Sequence, residues 1–455
     1  MIYSLLRAIA GVALRWYYAD VTISGLSPDS GDRRSSVNGP LLVVVNHPNA
    51  LVDVLVAARA VPRRLMFTAK ATLFSNPVAR LLLSSLGVLP LRRVSDEPGV
   101  ADPNRNAQSF AAITRALAKG RAILIFPEGK SHDEPSLAPL RTGAARLALH
   151  GRDAASVRGL RILPIGLVFE QKDAPRSRIL ALVGQPLEAD SWRAKNPAAA
   201  IDELTAEIDA RLRALTLNYE NVADAAGDAR LAMRIAALIR YEAPTVAIAG
   251  DLRNQTAVAR LLPGIRAVLR TGSAEIAARA TAFQNELAAL QESLDANHIS
   301  LDDLAISRGI SAGVNFVIRE ALILLVGGPF AIWGWLNHFI PFRAANAAGK
   351  RVRDGASDPA MRTIVAGTAL VRMVYMIQGA VVTLIWGPWW AIAYVVSLPI
   401  AADINLRLRE RLGRALRRAR TYLLFRTHQD LQRELGSRAR ALREEALALS
   451  REASA

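Results

Sequence analysis

His47 and Asp53 stand with five residues between them in Asn46-His47-Pro48-Asn49-Ala50-Leu51-Val52-Asp53. An aspartate that turns back to hold one imidazole nitrogen leaves the other free to take a proton from an alcohol, which is half of a charge-relay arrangement without its serine. The residues alone also allow a plainer reading, a helix-capping Asp53 behind a polar loop histidine. Position favours chemistry. The apolar run Leu41-Leu42-Val43-Val44-Val45 reads as a buried strand, and α/β folds place their reacting groups where such strands end.

Spacing removes several other chemistries. Gly129-Lys130-Ser131 ends like a phosphate-binding loop, but Leu124 stands where that motif needs its first glycine. The chain has no Gly-x-Ser-x-Gly elbow and no His-Glu-x-x-His zinc pair. Ser131 adjoins His132, and sequence neighbours seldom face one another, so a serine nucleophile is not favoured. With no cysteine, disulfides, thiolate metal sites and acyl-cysteine intermediates are excluded.

From about Val21 to Leu187 short apolar strands alternate with helical stretches, as in an α/β domain. Strands are predicted at Leu41 to Val45, Leu65 to Thr68, Ala122 to Phe126, Arg161 to Val168 and Ile179 to Val183. Helices are predicted at Leu51 to Ala60, Pro77 to Leu86, Asn104 to Ala118 and Arg141 to Leu149. Further stretches fall at strand ends or loops: Gly87-Val88-Leu89-Pro90-Leu91-Arg92-Arg93, Phe126-Pro127-Glu128-Gly129-Lys130-Ser131-His132, and Leu163-Pro164-Ile165-Gly166.

In this order and spacing these stretches, over roughly residues 20 to 190, resemble the glycerolipid acyltransferase superfamily of lysophosphatidate and glycerol-3-phosphate acyltransferases. That superfamily usually has one residue fewer between the histidine and the aspartate. The longer spacing, the Gly-x-x-Pro-x-x-Arg ending at Arg93, the Phe-Pro-Glu-Gly-x-Ser-His run, and Phe169 followed by Lys172 and Arg176-Ser177-Arg178 resemble the branch of yeast-type glycerol-3-phosphate/dihydroxyacetone-phosphate acyltransferases. The resemblance implies an α/β acyltransferase domain with a central mixed sheet flanked by helices, in which His47 is the base and Asp53 orients it. It places Glu128 and Gly129 at the acceptor end and makes Arg93 the phosphate arginine, a role suited to a planar, bidentate fork. Lys130, Lys172 and Arg176 are candidates to complete that pocket, and Pro164 to shape the acyl-chain wall. The implied co-substrate is an acyl-CoA or acyl carrier protein thioester, with no cofactor and no metal. The implied acceptor is glycerol-3-phosphate or a related glycerophosphate, with lysophosphatidate as the alternative.

The remainder reads as a helical appendage with two membrane hairpins. The expected divisions are 1–20, an interfacial N-terminal helix; 21–217, the acyltransferase domain; 218–310, a helical appendage; 311–405, membrane-embedded hairpins; and 406–455, a basic amphipathic C-terminal helix. In the first, Trp16, Tyr17 and Tyr18 would sit at headgroup level; packing of this helix on the core is equally open. Ala321 to Phe342 and Met373 to Ala402 lack Asp, Glu, Lys and Arg, and turn residues interrupt them at Gly327-Gly328-Pro329 and Gly387-Pro388. Basic flanks at Arg343 to Arg362 and Arg407 to Arg420 favour re-entrant hairpins on the cytoplasmic side, in a bacterial inner membrane; a buried soluble helical hairpin is the alternative. The formal net charge of +17, from 57 Lys+Arg against 40 Asp+Glu, calls for an anionic partner such as lipid headgroups. Nucleic acid ranks last because the aromatics gather in uncharged runs instead of alternating with arginine. A non-enzymatic membrane scaffold is the remaining alternative.

Overall fold

The computed structural model describes residues 2–25, 37–85, 87–91, 103–132, 134, 136–153, 157–198, 200–219, 222–240, 256, 258–259, 274–350 and 359–452. The chain divides into two compact units, Met1–Val222 with Val352–Ile364, and Ala223–Arg351 with Val365–Ala455.

The first unit is built on one sheet of eight strands: β1 (Asp20–Ser24), β2 (Leu41–Val45), β3 (Leu65–Lys70), β4 (Leu89–Leu91), β5 (Ala122–Ile125), β6 (Arg161–Phe169), β7 (Arg178–Val183) and β8 (Leu187–Glu188). Their order is β1-β7-β6-β2-β5-β3-β4, with β8 on β6. From β6 through β2, β5 and β3 to β4 the pairing is parallel, whereas β7 and β8 run antiparallel to β6. The sheet is therefore mixed. Among the described residues seven α-helices accompany it: α1 (Ile2–Tyr17), α2 (Ala50–Ala60), α3 (Pro77–Ser85), α4 (Pro103–Ala118), α5 (Gly143–Asp153), α6 (Ala189–Lys195) and α7 (Ile201–Arg213).

β2 explains the layering. All five of its residues are buried, because both faces of a central parallel strand are covered. Leu41, Val43 and Val45 share one core with Leu14, Tyr18, Val52 and Val56 of the α1–α2 face. Leu42 and Val44 point the other way, into a core with Ile113, Leu117, Leu147 and Leu204 of α4, α5 and α7. Such a strand can exit at only one end of the sheet, and His47 lies at the carboxyl end of β2, beside the carboxyl end of β5.

α1 departs from the interfacial expectation at its end. Tyr17 and Tyr18, predicted at headgroup level, are 8% and 0% exposed and belong to the core. They are held there by polar anchors. The Tyr17 hydroxyl donates to the Asp173 carbonyl (2.7 Å) and the Tyr18 hydroxyl to the Lys172 carbonyl (2.8 Å).

The second unit is helical. Among the described residues it contains α8 (Val222–Arg240), α9 (Ala274–Ala296), α10 (Ile310–Lys350), α11 (Pro359–Trp386), α12 (Pro388–Thr427) and α13 (Gln429–Glu452); α8 and α11 each begin within the residues of the first unit. Phe283, Leu287, Leu290 and Leu294 form one stripe of α9 and share a core with Leu435, Ala439 and Leu442 of α13. Ion pairs Arg279–Glu445 (2.9 Å) and Arg438–Glu286 (2.8 Å) join the same two helices. The basic C-terminal segment is thus partnered within its own chain, and the expected boundary at 405/406 falls inside the continuous helix α12.

Among the described residues three helices, Ile310–Ala348, Ala360–Trp386 and Pro388–Thr427, are long and apolar enough to cross a membrane. The break expected at Gly327-Gly328-Pro329 does not occur. α10 runs through it, with Pro329 and Pro341 inside the helix. A proline removes one ladder bond, but in an apolar stretch every remaining backbone group still finds its best partner within the helix. The break at Gly387 is real, at a φ of +90° that suits glycine. α10 and α12 approach closely where a Cβ on Gly334 would collide with the Ala401 carbonyl.

Candidate active site

The chain leaves β2 at Asn46, whose buried amide exchanges hydrogen bonds with the backbone of Leu167 on β6 (3.0 and 2.7 Å). This pins the strand exit. The chain then turns at Ala50, in the left-handed region at φ +38°, with its N–H donating to the Ser131 hydroxyl (3.2 Å). The turn carries Asp53, in the first turn of α2, back to the histidine.

His47 Nδ1 lies 2.9 Å from Asp53 Oδ2. That oxygen also accepts the Asn49 N–H at 2.7 Å, and a carboxylate collecting donors in this way leaves Nδ1 as the protonated nitrogen. Nε2 is then the acceptor. Asp53 is fully buried, whereas the His47 side chain keeps 14% of its exposure. The imidazole stacks on Phe126, with ring centroids 3.8 Å apart and planes inclined by 10°, which fixes the ring orientation from its other side.

His47 lines a cavity of about 1730 Å³, larger than the ~300–1,000 Å³ of ordinary ligand pockets. One wall is apolar, drawn from α1 (Ala8, Gly11, Val12), α2 (Leu51, Val54, Leu55) and Phe67, Leu83 and Phe110. The polar lining is one-sided in charge. Arg7, Arg15, Arg59, Lys130, Arg141 and Arg146 contribute, and among the described residues that line the cavity there is no aspartate or glutamate. Such a cavity suits a ligand with a long apolar part and a negative part.

The other predicted site residues divide. Gly129 and Lys130 line the cavity. Glu128 does not: it is 4% exposed and turned inward. Its carboxylate accepts the His47 N–H (2.6 Å) and the Ala138 N–H (2.9 Å) and is bonded to His132 Nε2. The side chain expected to meet the acceptor here accepts from the backbone of His47 and of Ala138. Lys172 and Arg176 also fall outside the cavity lining. Lys172 Nζ donates to the Pro48 carbonyl (3.2 Å), and Arg176 Nη1 to the carbonyls of Arg15 (2.8 Å), Trp16 (3.3 Å) and Tyr18 (3.2 Å). Those are orphan acceptors at the end of α1, where a cation is also favoured by the helix dipole. Pro164 is buried in β6, with its carbonyl accepting the Gly184 N–H (2.9 Å), and is not part of the apolar wall. Arg93 lies outside the described residues.

Between this arginine turn and the histidine loop stands Asn49, fully buried, whose amide donates to Tyr18 (3.1 Å) and to the Lys172 carbonyl (3.0 Å). Burial pushes the Tyr18 phenol far above its ordinary range, and burial with the nearby Asp173 carboxylate pushes Tyr17 up to about 12. Both phenols therefore remain neutral donors throughout the physiological range.

Arg141, like Arg59 and Arg146, is a cavity residue that sequence reasoning did not single out. It stands just before α5, where it reads only as the start of a helix; nothing local signals that its stem lies over Gly129.

A mixed α/β sheet with a histidine–carboxylate pair at its strand exits is a scaffold for proton abstraction from an alcohol, and comparison with known proteins finds likenesses to acyltransferases. Residues 28–168 match the model of the Acyltransferase family. Glycerol-3-phosphate O-acyltransferase 2 of Saccharomyces cerevisiae is 30% identical over 117 residues, 25% of this chain and 16% of that protein. The chloroplastic 1-acyl-sn-glycerol-3-phosphate acyltransferase LPAT1 of Arabidopsis thaliana is 25% identical over 166 residues, 36% of this chain and 40% of that protein. Among solved structures, the 1-acyl-sn-glycerophosphate acyltransferase PlsC of Thermotoga maritima aligns over 47% of this chain and 77% of its own, with 15% identity and a TM-score of 0.34. The chain spans less than a fifth of the yeast relative's length.

Proposed function

We propose that this chain transfers a fatty acyl group from a thioester, acyl-CoA or acyl carrier protein, to the hydroxyl of glycerol-3-phosphate or a related glycerophosphate in phospholipid synthesis. His47 Nε2 takes the hydroxyl proton while Asp53 holds the imidazolium that forms. The freed oxygen attacks the thioester carbonyl, the tetrahedral intermediate collapses with cleavage of the C–S bond, and the imidazolium returns its proton to the departing thiolate. No covalent enzyme intermediate and no cofactor is needed. The observation that carries this reading is the 2.9 Å contact between His47 and a buried carboxylate at the wall of an apolar, cation-lined cavity.

A membrane setting supports the reaction physically. The acyl chain of the product is worth ~0.8 kcal/mol per buried methylene, so an enzyme at the bilayer releases it into lipid without passage through water. The apolar helices of the second unit and the net charge of +17 agree with docking on the anionic cytoplasmic face of a bacterial inner membrane. A second reading, in which 1-acylglycerol-3-phosphate is the acceptor, draws support from the apolar wall and the volume, about 1730 Å³, of the cavity.

The test is transfer from a radiolabelled thioester by the full chain in lipid, offered glycerol-3-phosphate or its 1-acyl form. A product from the first supports the main reading, and a product from the second alone supports the other. Label recovered in neither acceptor overturns both.

A further inference from the structure

We propose that Arg141, seated on Gly129 and flanked by Lys130, binds the phosphate monoester of the acyl acceptor; this rests on the reading of the chain as a glycerophosphate acyltransferase.

The seat is specific. Gly129 has a φ of +82°, and a Cβ built on it would lie 2.6 Å from Arg141 Nε and 2.8 Å from Cδ. The guanidinium stem therefore rests directly on the glycine backbone, and any side chain there would push it away. Its root is fixed as well, because the Arg141 N–H donates to the Pro127 carbonyl at 2.8 Å. Pro127 follows Phe126, the ring against which His47 stacks at 3.8 Å. A continuous path of contacts thus runs from the imidazole through Phe126 and Pro127 to the arginine, and all four residues line one cavity.

The charge is uncommitted. Among the described residues the side chains of Arg141 and Lys130 make no hydrogen bond or ion pair, and no carboxylate lines the cavity with them. Arg7, on the α1 side, donates to the Val61 carbonyl (3.4 Å), and Lys172 and Arg176 are spent on other backbone carbonyls. A phosphate monoester is a small dianion with several acceptor oxygens, the group that a planar guanidinium and a neighbouring ammonium complement. With its phosphate held here, a glycerophosphate extends its free hydroxyl along the Phe126 wall toward Nε2.

The experiment uses the full chain in lipid and compares wild type with Arg141→Gln, Arg141→Lys and Lys130→Gln, varying glycerol-3-phosphate, 1-acylglycerol-3-phosphate and the thioester in separate arms. For whichever phosphorylated acceptor the wild type uses, Arg141→Gln raises KM by about 10- to 100-fold, with kcat within a few-fold of wild type and the thioester KM unchanged. Arg141→Lys falls between, and inorganic phosphate, a competitor in the wild type, loses its effect in Arg141→Gln. An unchanged acceptor KM overturns the assignment while leaving the proposed reaction standing, and so does a rise confined to the thioester KM, which would place the arginine on the donor. Failure of the wild type to acylate either acceptor removes the underlying reading instead. Melting curves check that each variant folds. Should Arg141→Gln melt early, Arg141→Lys and Lys130→Gln decide, and acceptor KM values unchanged in both overturn the proposal.

Discussion

Lys172 and Arg176, on the turn between β6 and β7, are the same residue types as Lys130 and Arg141, on the segment between β5 and α5, yet their surroundings are opposite. The first pair turns inward and is bonded to backbone carbonyls of Pro48, Arg15, Trp16 and Tyr18. The second pair stands over the His47 cavity without a partner among the described residues. A cation at a helix end is consumed by orphan carbonyls that desolvation makes expensive to leave unpaired. One seated on a glycine beside an apolar wall keeps its charge for a ligand. The contrast extends to carboxylates: Asp53 and Glu128 are both buried, but Asp53 holds the imidazole and Glu128 holds the backbone that carries it.

Substitutions at four positions can break or sharpen this division between supporting and reacting groups. Asp53→Asn should have the largest effect on turnover, about 10²- to 10⁴-fold in kcat, because the amide no longer favours the Nδ1-protonated ring or steadies its charge. A steady-state assay at saturating substrates reads it. Glu128→Ala should act mainly on stability, by about 2–5 kcal/mol in denaturant unfolding, since the His47 and Ala138 N–H groups are left as buried donors. Glu128→Gln should recover part of this. Arg176→Ala should cost about 1–3 kcal/mol through the end of α1, with the acceptor KM unchanged; a raised KM would move Arg176 back to the acceptor pocket. Tyr17→Phe should be the smallest, about 1 kcal/mol for the bond to Asp173. Because the folded-state value of Tyr17 is raised to about 12 from 10, its contribution is present below pH 10 and lost as pH rises toward 12. Urea unfolding between those values should therefore fall less steeply in Tyr17→Phe than in wild type.

Which parts of this were legible in the sequence follows from how local their causes are. β2 was readable to the residue because five apolar residues in a row fit only a fully buried strand. β1 (Asp20–Ser24) and β4 (Leu89–Leu91) were not, because one carries three polar residues and the other is short and holds a proline. The His47–Asp53 pair was accessible since six positions and one helix start bring the two together. The bonds that Glu128, Lys172 and Arg176 make were hidden for the opposite reason. Glu128 also bonds His132 and Ala138 nearby, but its partner His47 and those of Lys172 and Arg176 lie 81, 124 and about 160 positions away, where sequence gives no hint of them. Arg141 was overlooked because its seat depends on the missing Cβ of Gly129, twelve positions earlier. In the helical unit, Gly327-Gly328-Pro329 has the composition of a turn, but the helix runs through it with Pro329 inside.

The central claim is that one imidazole, set by a buried carboxylate, removes the acceptor's proton. It is tested most directly by the rate of acyl transfer from thioester to glycerophosphate by His47→Ala, measured with the full chain in lipid at saturating substrates. The account predicts a loss of at least ~10²-fold with the melting temperature and membrane binding of the wild type. Transfer within a few-fold of wild type would contradict it.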